Sequence, residues 1–192
     1  MSKTLKSLLK NTINLKVNPK KTFLIAVILS FLFLAAPSLW AASSVYTSVE
    51  EKNCKMLQDS NKDPEAEIDY FTMSCPGREG YEIIVDGGDA RSWLVIKKQG
   101  KEIYDMRVDE FNHAPGGFPY VGGKVLEWRY SDAKKLTALI IRITGQGPEL
   151  SKSKEVSKLF VIRHQEGKFC FLGSDPTNEG ARKLADSPQA CR

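Results

Sequence analysis

An alternation of apolar and polar residues across positions 81–104 constrains the fold of this chain more than any other feature. Tyr81, Ile83 and Val85 lie on one side of a period-two pattern, and β-branched and aromatic residues crowd the next run, 90–97. Such runs are typical of β-strands, and glycines at 87, 88 and 100 supply the backbone freedom that tight hairpins need. The segment is therefore predicted to form a three-stranded meander with turns at 86–89 and 99–100.

The same patterns predict the rest of the fold. Further strands are predicted at residues 69–75, 124–130, 137–144, 158–164 and 168–172, which makes about eight in all. Residues 137–144 are apolar throughout their centre, so both faces of that strand are predicted to be covered. Short helices are predicted near both ends, one starting at Ser48 and including Cys54, the other running from Pro176 to about Asp186.

No β-α-β alternation is present in this pattern of elements. A parallel, doubly wound sheet is therefore not expected. The predicted fold class is mainly β (α+β), with mostly antiparallel strands in a curled sheet, barrel or sandwich that disulfides clamp.

Residues 1–41 have the composition of an export signal. Six lysines and no acidic residue precede an apolar run of 14 residues, 23–36, and Pro37 is followed by small residues. We predict cleavage after Ala41, with Ser43 as the alternative, and a single exported domain at residues 42–192, periplasmic or secreted. The competing interpretation is a membrane anchor at residues 23–42, since 20 residues are enough to span a bilayer.

Removing this segment changes the charge of the protein. The chain has 28 basic and 23 acidic residues, and 28 − 6 leaves 22 basic residues, a net charge of about −1. The lysine cluster at Lys152, Lys154 and Lys158 is spaced through a polar loop that also contains Glu149 and Glu155. Because nucleic-acid binding needs a continuous basic surface, a nucleic-acid partner is not expected.

All four cysteines fall in the predicted domain. An even number of cysteines in an exported chain favours disulfides over metal binding or catalysis. Three connectivities are possible, and the pairs Cys54–Cys75 and Cys170–Cys191 close the shortest loops, because 75 − 54 and 191 − 170 both equal 21. A four-cysteine zinc site would require CxxC-like pairs, which are absent. We predict two disulfides, no metal and no cofactor.

Residues 109–123 contain four glycines, two prolines and three aromatic residues, which predicts a long irregular loop. Loops of this length in compact domains are frequently binding surfaces. Phe111, His113, Phe118 and Tyr120 are therefore the candidate binding residues. The alternative is that the aromatic side chains pack onto the end of the core.

Catalytic motifs are absent: the sequence contains no GxSxG, HExxH or P-loop pattern. No catalytic residue is assigned. His113 with Asp109 or Glu110 is the combination that a hydrolase would use, while His164 is interpreted as a surface residue. The acidic and glycine residues at 86–89 are interpreted as a turn rather than a calcium site, because calcium needs six or more oxygen ligands.

The order of several short motifs resembles a group of exported bacterial proteins of unknown function. The shared pattern is Tyr-Thr-Ser at 46–48, an early cysteine at Cys54, Cys-Pro-Gly at 75–77 and a cysteine at the extreme end, Cys191. It covers most of the predicted domain. The resemblance implies export and disulfide bonds and assigns no site. The layout is also loosely similar to small periplasmic lysozyme inhibitors, which are disulfide-clamped antiparallel barrels.

These observations favour a non-enzymatic exported module that binds or inhibits a partner through residues 109–123. The partner would be a protein or glycan in the cell envelope or outside the cell, with membrane contact only through an uncleaved signal. Two alternatives stay open at this point. One is a hydrolase of envelope polymers that uses His113, and the other is a structural envelope component without a small ligand.

Overall fold

The computed structural model describes residues 42–147 and 154–191 of the chain. The predicted export signal at residues 1–41 lies outside the described residues, as do Glu149 and Lys152. Within the described ranges, no helix is long and apolar enough to cross a membrane. These ranges contain eleven β-strands, two α-helices and two single turns of 3-10 helix.

The strands of the described residues are β1 (Ser43–Ser48), β2 (Lys55–Asp59), β3 (Tyr70–Cys75), β4 (Tyr81–Gly88), β5 (Arg91–Lys98), β6 (Lys101–Asp105), β7 (Gly117–Val121), β8 (Val125–Tyr130), β9 (Leu136–Gln146), β10 (Glu155–Gln165) and β11 (Lys168–Asp175). The helices are α1 (Arg107–His113) and α2 (Asn178–Ala185), and the 3-10 turns are Glu51–Asn53 and Ser60–Lys62.

One sheet is a five-stranded meander in the order β2-β3-β4-β5-β6, with every neighbouring pair antiparallel. The predicted meander at residues 81–104 is confirmed as β4 to β6. Its first turn was placed wrongly, however, because Gly87 and Gly88 lie inside β4 and the turn is made by Asp89 and Ala90, with φ of 50° and 59°. The ring of Phe71 occupies the space that a side chain at Gly87 would need.

The second sheet has the order β1-β8-β9-β10-β11, and β7 also pairs with β9. Strands β7 and β8 lie end to end along one edge of β9. Between them the N–H groups of Gly122 and Gly123 both donate to the carbonyl of Arg142, at 3.1 and 3.2 Å. Two residues opposite one form a β-bulge, which bends the strand that carries it. On the far side of this bulge, the N–H of Val121 donates to Ser92 Oγ in β5 of the other sheet, at 2.9 Å.

A single hydrophobic core lies between the two sheets. Alternate residues of β4 and β5 face alternate residues of β8, β9 and β10, as the period-two pattern requires. The largest fully buried side chains of this core include Ile83, Leu94, Ile96, Leu126, Trp128, Leu139, Ile141 and Phe160. Neither sheet closes on itself, so the fold is two open antiparallel sheets that share one core and not a closed barrel.

Helix α2 covers the other face of the six-stranded sheet. Ala181 and Ala185 are fully buried against a second apolar cluster that includes Ile140 of β9 and Val161 of β10. Strand β9 is therefore covered on both faces, as its continuous apolar sequence predicted. Thr177 caps the start of the helix, and its Oγ1 accepts the N–H of Gly180 at 3.0 Å.

The end of α2 is capped from the sheet. The guanidinium of Arg163 in β10 donates to the carbonyls of Ala185 and Ser187, at 2.8 and 2.6 Å. The last carbonyls of a helix have no partner inside the helix, and a cation there also interacts favourably with the helix dipole. The predicted C-terminal helix is therefore confirmed, although it starts two residues later than Pro176.

The predicted N-terminal helix is wrong. Residues Glu51–Asn53 make one turn of 3-10 helix, and the chain then continues as β2, which pairs with β3. The serine and glutamate pattern favoured a helix locally, but the ladder to β3 supplies backbone hydrogen bonds over more residues. The strand total rises from about eight to eleven because β1, β2 and β7 were not predicted.

Two disulfides clamp the described domain. Cys54 is bonded to Cys75 of β3, and Cys170 of β11 is bonded to Cys191, each across a sequence separation of 21. These are the two pairs that the equal spacing favoured, and no free cysteine is found in the described ranges. In the chain-entropy model, each loop of this length contributes roughly 3 kcal/mol.

Candidate binding pocket

Helix α1 buries an acidic side chain and exposes an apolar one. Glu110 is only 2% exposed, whereas its neighbour Phe111 is 87% exposed. Met106 precedes Glu110 by four residues and is fully buried, so both lie on the face of the helix that packs inward. Glutamate is almost never fully buried unless it is paired. Departures of this kind from the ordinary pattern are expected at functional or strained sites.

A pocket of about 550 Å³ lies between α1, β7 and the beginning of β5. We call it the α1–β7 pocket. Its lining residues are Arg91, Trp93, Arg107, Glu110, Phe111, Ala114, Gly116, Gly117, Phe118 and Pro119. This volume falls within the range of small-molecule binding sites, which typically combine aromatic walls with a few polar groups.

Two arginines of the pocket are stacked on aromatic rings. The guanidinium carbon of Arg107 lies 4.4 Å from the ring centroid of Trp93, and that of Arg91 lies 4.6 Å from the ring of Phe118. Each is also paired with an aspartate: Arg91 Nη1 is 2.7 Å from Asp89 Oδ2, and Arg107 Nη2 is 3.1 Å from Asp105. The rings and carboxylates hold both guanidinium groups at the pocket while leaving further N–H donors free.

The backbone of β7 is unusual at Phe118, which has a φ of 46°. A left-handed conformation costs a residue with a bulky side chain about 1–2 kcal/mol. The pairing of β7 with β9 is irregular at the same point, between Gly117 and Tyr120. Strained residues of this kind cluster at ligand sites. Here the strained residue is the one whose ring lies against Arg91.

The two glycines before Phe118 have different surroundings. A Cβ built on Gly116 would overlap the main-chain carbonyl of Gln146 in β9, so only glycine fits there. A Cβ built on Gly117 meets nothing within 4 Å, although Gly117 lines the pocket. Gly116 therefore allows α1 and β7 to approach β9, and Gly117 leaves part of the pocket unfilled.

The carboxyl of Glu110 has unused hydrogen-bonding capacity. Its Oε2 is buried and finds no partner among the described residues, and the same holds for the indole Nε1 of Trp93. Burial raises the pKa of Glu110 to about 8, and the nearby charge of Asp105 adds to this rise. Glu110 is therefore predominantly protonated and uncharged at pH 7.

The structure distributes the four predicted binding residues over three places. Phe111 and Phe118 line the α1–β7 pocket. Tyr120 lines a different cleft and donates its hydroxyl to Glu155 Oε1 at 2.8 Å, which raises its pKa. The ring of His113 stacks on Phe171 at a centroid distance of 4.7 Å. The four residues do not form a single surface.

The predicted irregular loop at residues 109–123 is also wrong, since the chain there forms part of α1 and then all of β7. The prolines and glycines are confined to positions 115–119 and 122–123. The residues before them are free to form a short helix. Tyr120 and Val121, which lie between the two groups, pair with β9.

The cleft beside Tyr120 is an opening of about 620 Å³ at one end of the core. Core side chains such as Met73 and Val85 line it, and four carboxylates surround it: Glu51, Asp59, Asp69 and Asp89. In the part of the chain that the structure describes, no group of three or more histidine, cysteine, aspartate or glutamate side chains is arranged to hold a metal ion. Nothing at this cleft resembles the unpartnered, buried acid of the α1–β7 pocket.

The histidines do not form a hydrolase site with the carboxylates considered for one. The depression beside His113 is lined by Lys158, Phe171 and neighbouring residues, without a carboxylate among the described residues that line it. Asp109 instead accepts a hydrogen bond from the hydroxyl of Tyr104, at 2.6 Å. His113 therefore has no partner acid among the described residues that line this depression.

His164 is half-buried, so its interpretation as a surface residue is corrected. Its Nδ1 lies 3.1 Å from the carbonyl of Leu136, and its Nε2 lies 2.9 Å from the hydroxyl of Tyr81. A neutral ring that donates from Nδ1 and accepts at Nε2 satisfies both contacts. Burial lowers the pKa of His164, which favours this neutral form.

Sequence reasoning missed Arg91, Trp93, Arg107 and Glu110 as residues of the pocket. The spacing of Met106 and Glu110 by four residues was a signal for Glu110, because it places both on one face of a helix. Arg91 and Trp93 carried no comparable signal, since β5 is placed beside α1 only by the tertiary fold.

Comparison of the chain with protein-family models, with curated proteins and with solved structures gives no match.

Proposed function

We propose that this protein is an exported, non-enzymatic binding domain that receives its ligand in the α1–β7 pocket. The inverted burial of α1 carries the proposal. A buried carboxyl without a hydrogen-bond partner costs about 1–3 kcal/mol, and an exposed phenylalanine contributes no burial energy to the fold. A ligand in the pocket would cover Phe111, and it would give Glu110 a partner once the buried carboxyl turns toward the pocket.

Export of the domain is supported by three observations. The N-terminal 41 residues have six lysines followed by an apolar run, two disulfides are present in the described domain, and the motif order resembles exported bacterial proteins. We expect N-terminal sequencing of the protein purified from its natural host to begin at Ala42. A sequence that begins at Met1 or Ser2 would replace cleavage by the membrane-anchor alternative.

The pocket can be tested by filling it. Gly117→Leu adds a side chain at a position where nothing lies within 4 Å of the new Cβ. The probe is N-phenyl-1-naphthylamine, a neutral apolar dye whose fluorescence rises on burial. We expect saturable binding of one dye per wild-type protein, and at least a tenfold weaker affinity for Gly117→Leu, because the leucine occupies the space between α1 and β7.

Lys168→Leu is the matched control, since it places the same side chain at an exposed position of β11 outside the pocket. It should bind the dye like the wild type. Both variants should keep the wild-type midpoint of denaturant unfolding within measurement error. Equal dye binding by wild type and Gly117→Leu would show that the pocket does not receive apolar ligands and would overturn the proposal.

A further inference from the structure

Several polar side chains of the α1–β7 pocket have hydrogen-bonding groups without a partner, and most of these groups are hydrogen-bond donors. The indole N–H of Trp93 has no partner among the described residues. Arg91 uses Nη1 on Asp89, and Arg107 uses Nη2 on Asp105, so each guanidinium retains other N–H groups. A ligand that satisfies this lining must therefore present hydrogen-bond acceptors.

Glu110 belongs to the same set of donors when it is protonated. Its pKa is raised to about 8, first by burial and then by the charge of Asp105. In the neutral form the carboxyl has one O–H to donate, and its buried Oε2 has no partner among the described residues. The acid is protonated and desolvated, and a ligand oxygen in the pocket reaches it when the Glu110 side chain turns toward the pocket.

The fixed charges at the pocket favour one negative charge on the ligand over two. Arg91 and Arg107 contribute two positive charges, and their partners Asp89 and Asp105 contribute two negative charges. The local sum is near zero. A dianion would thus be repelled by the two aspartates, whereas a monoanion can share the guanidinium groups with them. The side chain of Asp89 is 76% exposed and can turn toward solvent.

The remaining lining is apolar. Phe111 is almost fully exposed, Phe118 is 37% exposed, and both lie at the pocket together with Pro119. The volume of about 550 Å³ suits a small molecule rather than a folded partner. Apolar or aromatic groups on the ligand would bury these rings. Burial of the rings would contribute most of the apolar contact energy at this pocket.

We propose that the α1–β7 pocket binds a small carboxylate that carries an apolar or aromatic group. The carboxylate accepts hydrogen bonds from Arg107, Arg91 and the protonated Glu110, while the apolar group covers Phe111 and Phe118. This inference rests on the proposed binding function and adds the chemical class of the ligand. Planar guanidinium groups match the two oxygens of a carboxylate, and hydrogen bonds between ionised partners are about twice as strong as neutral ones.

A matched pair of probes isolates the carboxylate. N-acetyl-L-phenylalanine and N-acetyl-L-phenylalaninamide share the same ring and differ in the charge of one group. We expect the acid to bind the purified protein at pH 6 at least tenfold more tightly than the amide, as measured by chemical-shift titration. Amide signals of α1 and β7 should shift. Equal affinities, or no binding of the acid, would overturn the carboxylate proposal.

Two arginine variants distinguish binding at the α1–β7 pocket from nonspecific electrostatic attraction of the acid to the protein. Arg107→Gln should remove most of the preference for the acid over the amide. Arg142→Gln, which changes an arginine of β9 outside the pocket, should retain it. If both variants lose the preference equally, the effect is a general electrostatic one and the assigned site is wrong.

The pH dependence tests Glu110 itself. Arg91 of β5 and Arg107 of α1 line the pocket with Glu110, and the charge of Asp105 in β6 acts on it. Asp109, the preceding residue of α1, accepts a hydrogen bond from Tyr104 of β6. Affinity of the wild type for the acid should fall at least tenfold between pH 6 and pH 9, as Glu110 loses its proton. Glu110→Gln should lack this fall. An unchanged affinity of the wild type at pH 9 would exclude Glu110 as a donor.

A tetrapeptide, Gly-Gly-Gly-Phe with a free carboxylate, distinguishes the source of the ligand. Tighter binding of the tetrapeptide than of N-acetyl-L-phenylalanine would identify a peptide C-terminus as the source, and equal or weaker binding would identify a free small acid. Dye binding that is lost in Gly117→Leu, together with equal affinity for acid and amide, would keep the binding function and reject only the carboxylate.

Discussion

Replacing Trp128 with alanine is expected to lower the free energy of unfolding by about 3–5 kcal/mol. Trp128 is fully buried at the centre of the core between the two sheets, and its ring lies 6.5 Å from that of Tyr81. Its Nε1 donates to Thr47 Oγ1 at 2.9 Å. The substitution removes the largest fully buried side chain that the structure describes, and it leaves a cavity that two packed sheets cannot close. Denaturant unfolding of the disulfide-bonded protein measures the loss.

The two described tryptophans provide a matched control for the hydrogen bond. Trp128→Phe should cost about 1 kcal/mol beyond the loss of ring area, because it removes a satisfied indole N–H and leaves Thr47 without its donor. Trp93→Phe should lack this additional cost, since the Nε1 of Trp93 has no partner among the described residues. Equal losses for the two phenylalanine variants would contradict the assigned role of the Trp128 hydrogen bond.

The second large effect concerns Glu110 and depends on pH. In the native state its pKa is about 8, against an ordinary value of 4.5. The unfolded chain therefore releases this proton first as pH rises. The stability that the protonated form provides is fully present below about pH 4.5 and is lost as pH rises to 8. Each pH unit in this interval is worth up to about 1.4 kcal/mol, so the total loss over the 3.5 pH units from 4.5 to 8 is on the order of 5 kcal/mol.

Glu110→Gln should remove this dependence while keeping the size and hydrogen-bonding ability of the side chain. Unfolding free energies measured at pH 5, 7 and 9 should show little difference between the proteins at pH 5 and a growing advantage for the variant above it. His164 acts in the opposite direction. Its lowered pKa means that stability is lost as pH falls below about 6.5. Because His164 is present in both proteins, its effect cancels in the difference. Parallel pH curves would show that Glu110 is not protonated in the native state.

Local patterns predicted the parts of the fold that local interactions determine. The alternation around Ile83 and Leu94 predicted the β4 to β6 meander, and the continuous apolar run of β9 predicted that both faces would be covered. Equal cysteine spacing favoured the disulfides that are present. In each case the signal, an apolar alternation, an apolar run or a loop length, can be recognised from the sequence without knowing the tertiary partners.

The candidate site could not be predicted in this way. Phe111 and Phe118 were selected because aromatic residues in a breaker-rich segment are conspicuous, but Glu110 was considered only as a catalytic acid. An acidic residue is expected at the surface, and its burial results from α1 packing with Met106 inward. The contributions of Arg91 and Trp93 depend on the approach of β5 to α1, which no pattern within either segment encodes.

The two-sided burial of β9 has a consequence for how the chain avoids misalignment. In a strand with one buried face, a slip of one residue drives apolar side chains into water, and this penalty fixes the pairing. In β9 such a slip would mostly exchange one apolar face for the other. Its alignment must therefore come from its neighbours. A side chain at Gly122 would overlap Thr144, and one at Gly116 would overlap the carbonyl of Gln146. A shift that moved Pro115 and Val121 into these positions would place side chains in both close contacts, so the two glycines oppose slippage of β9 in that direction. The opposite shift would bring in Gly117 and Gly123 and meets no such barrier.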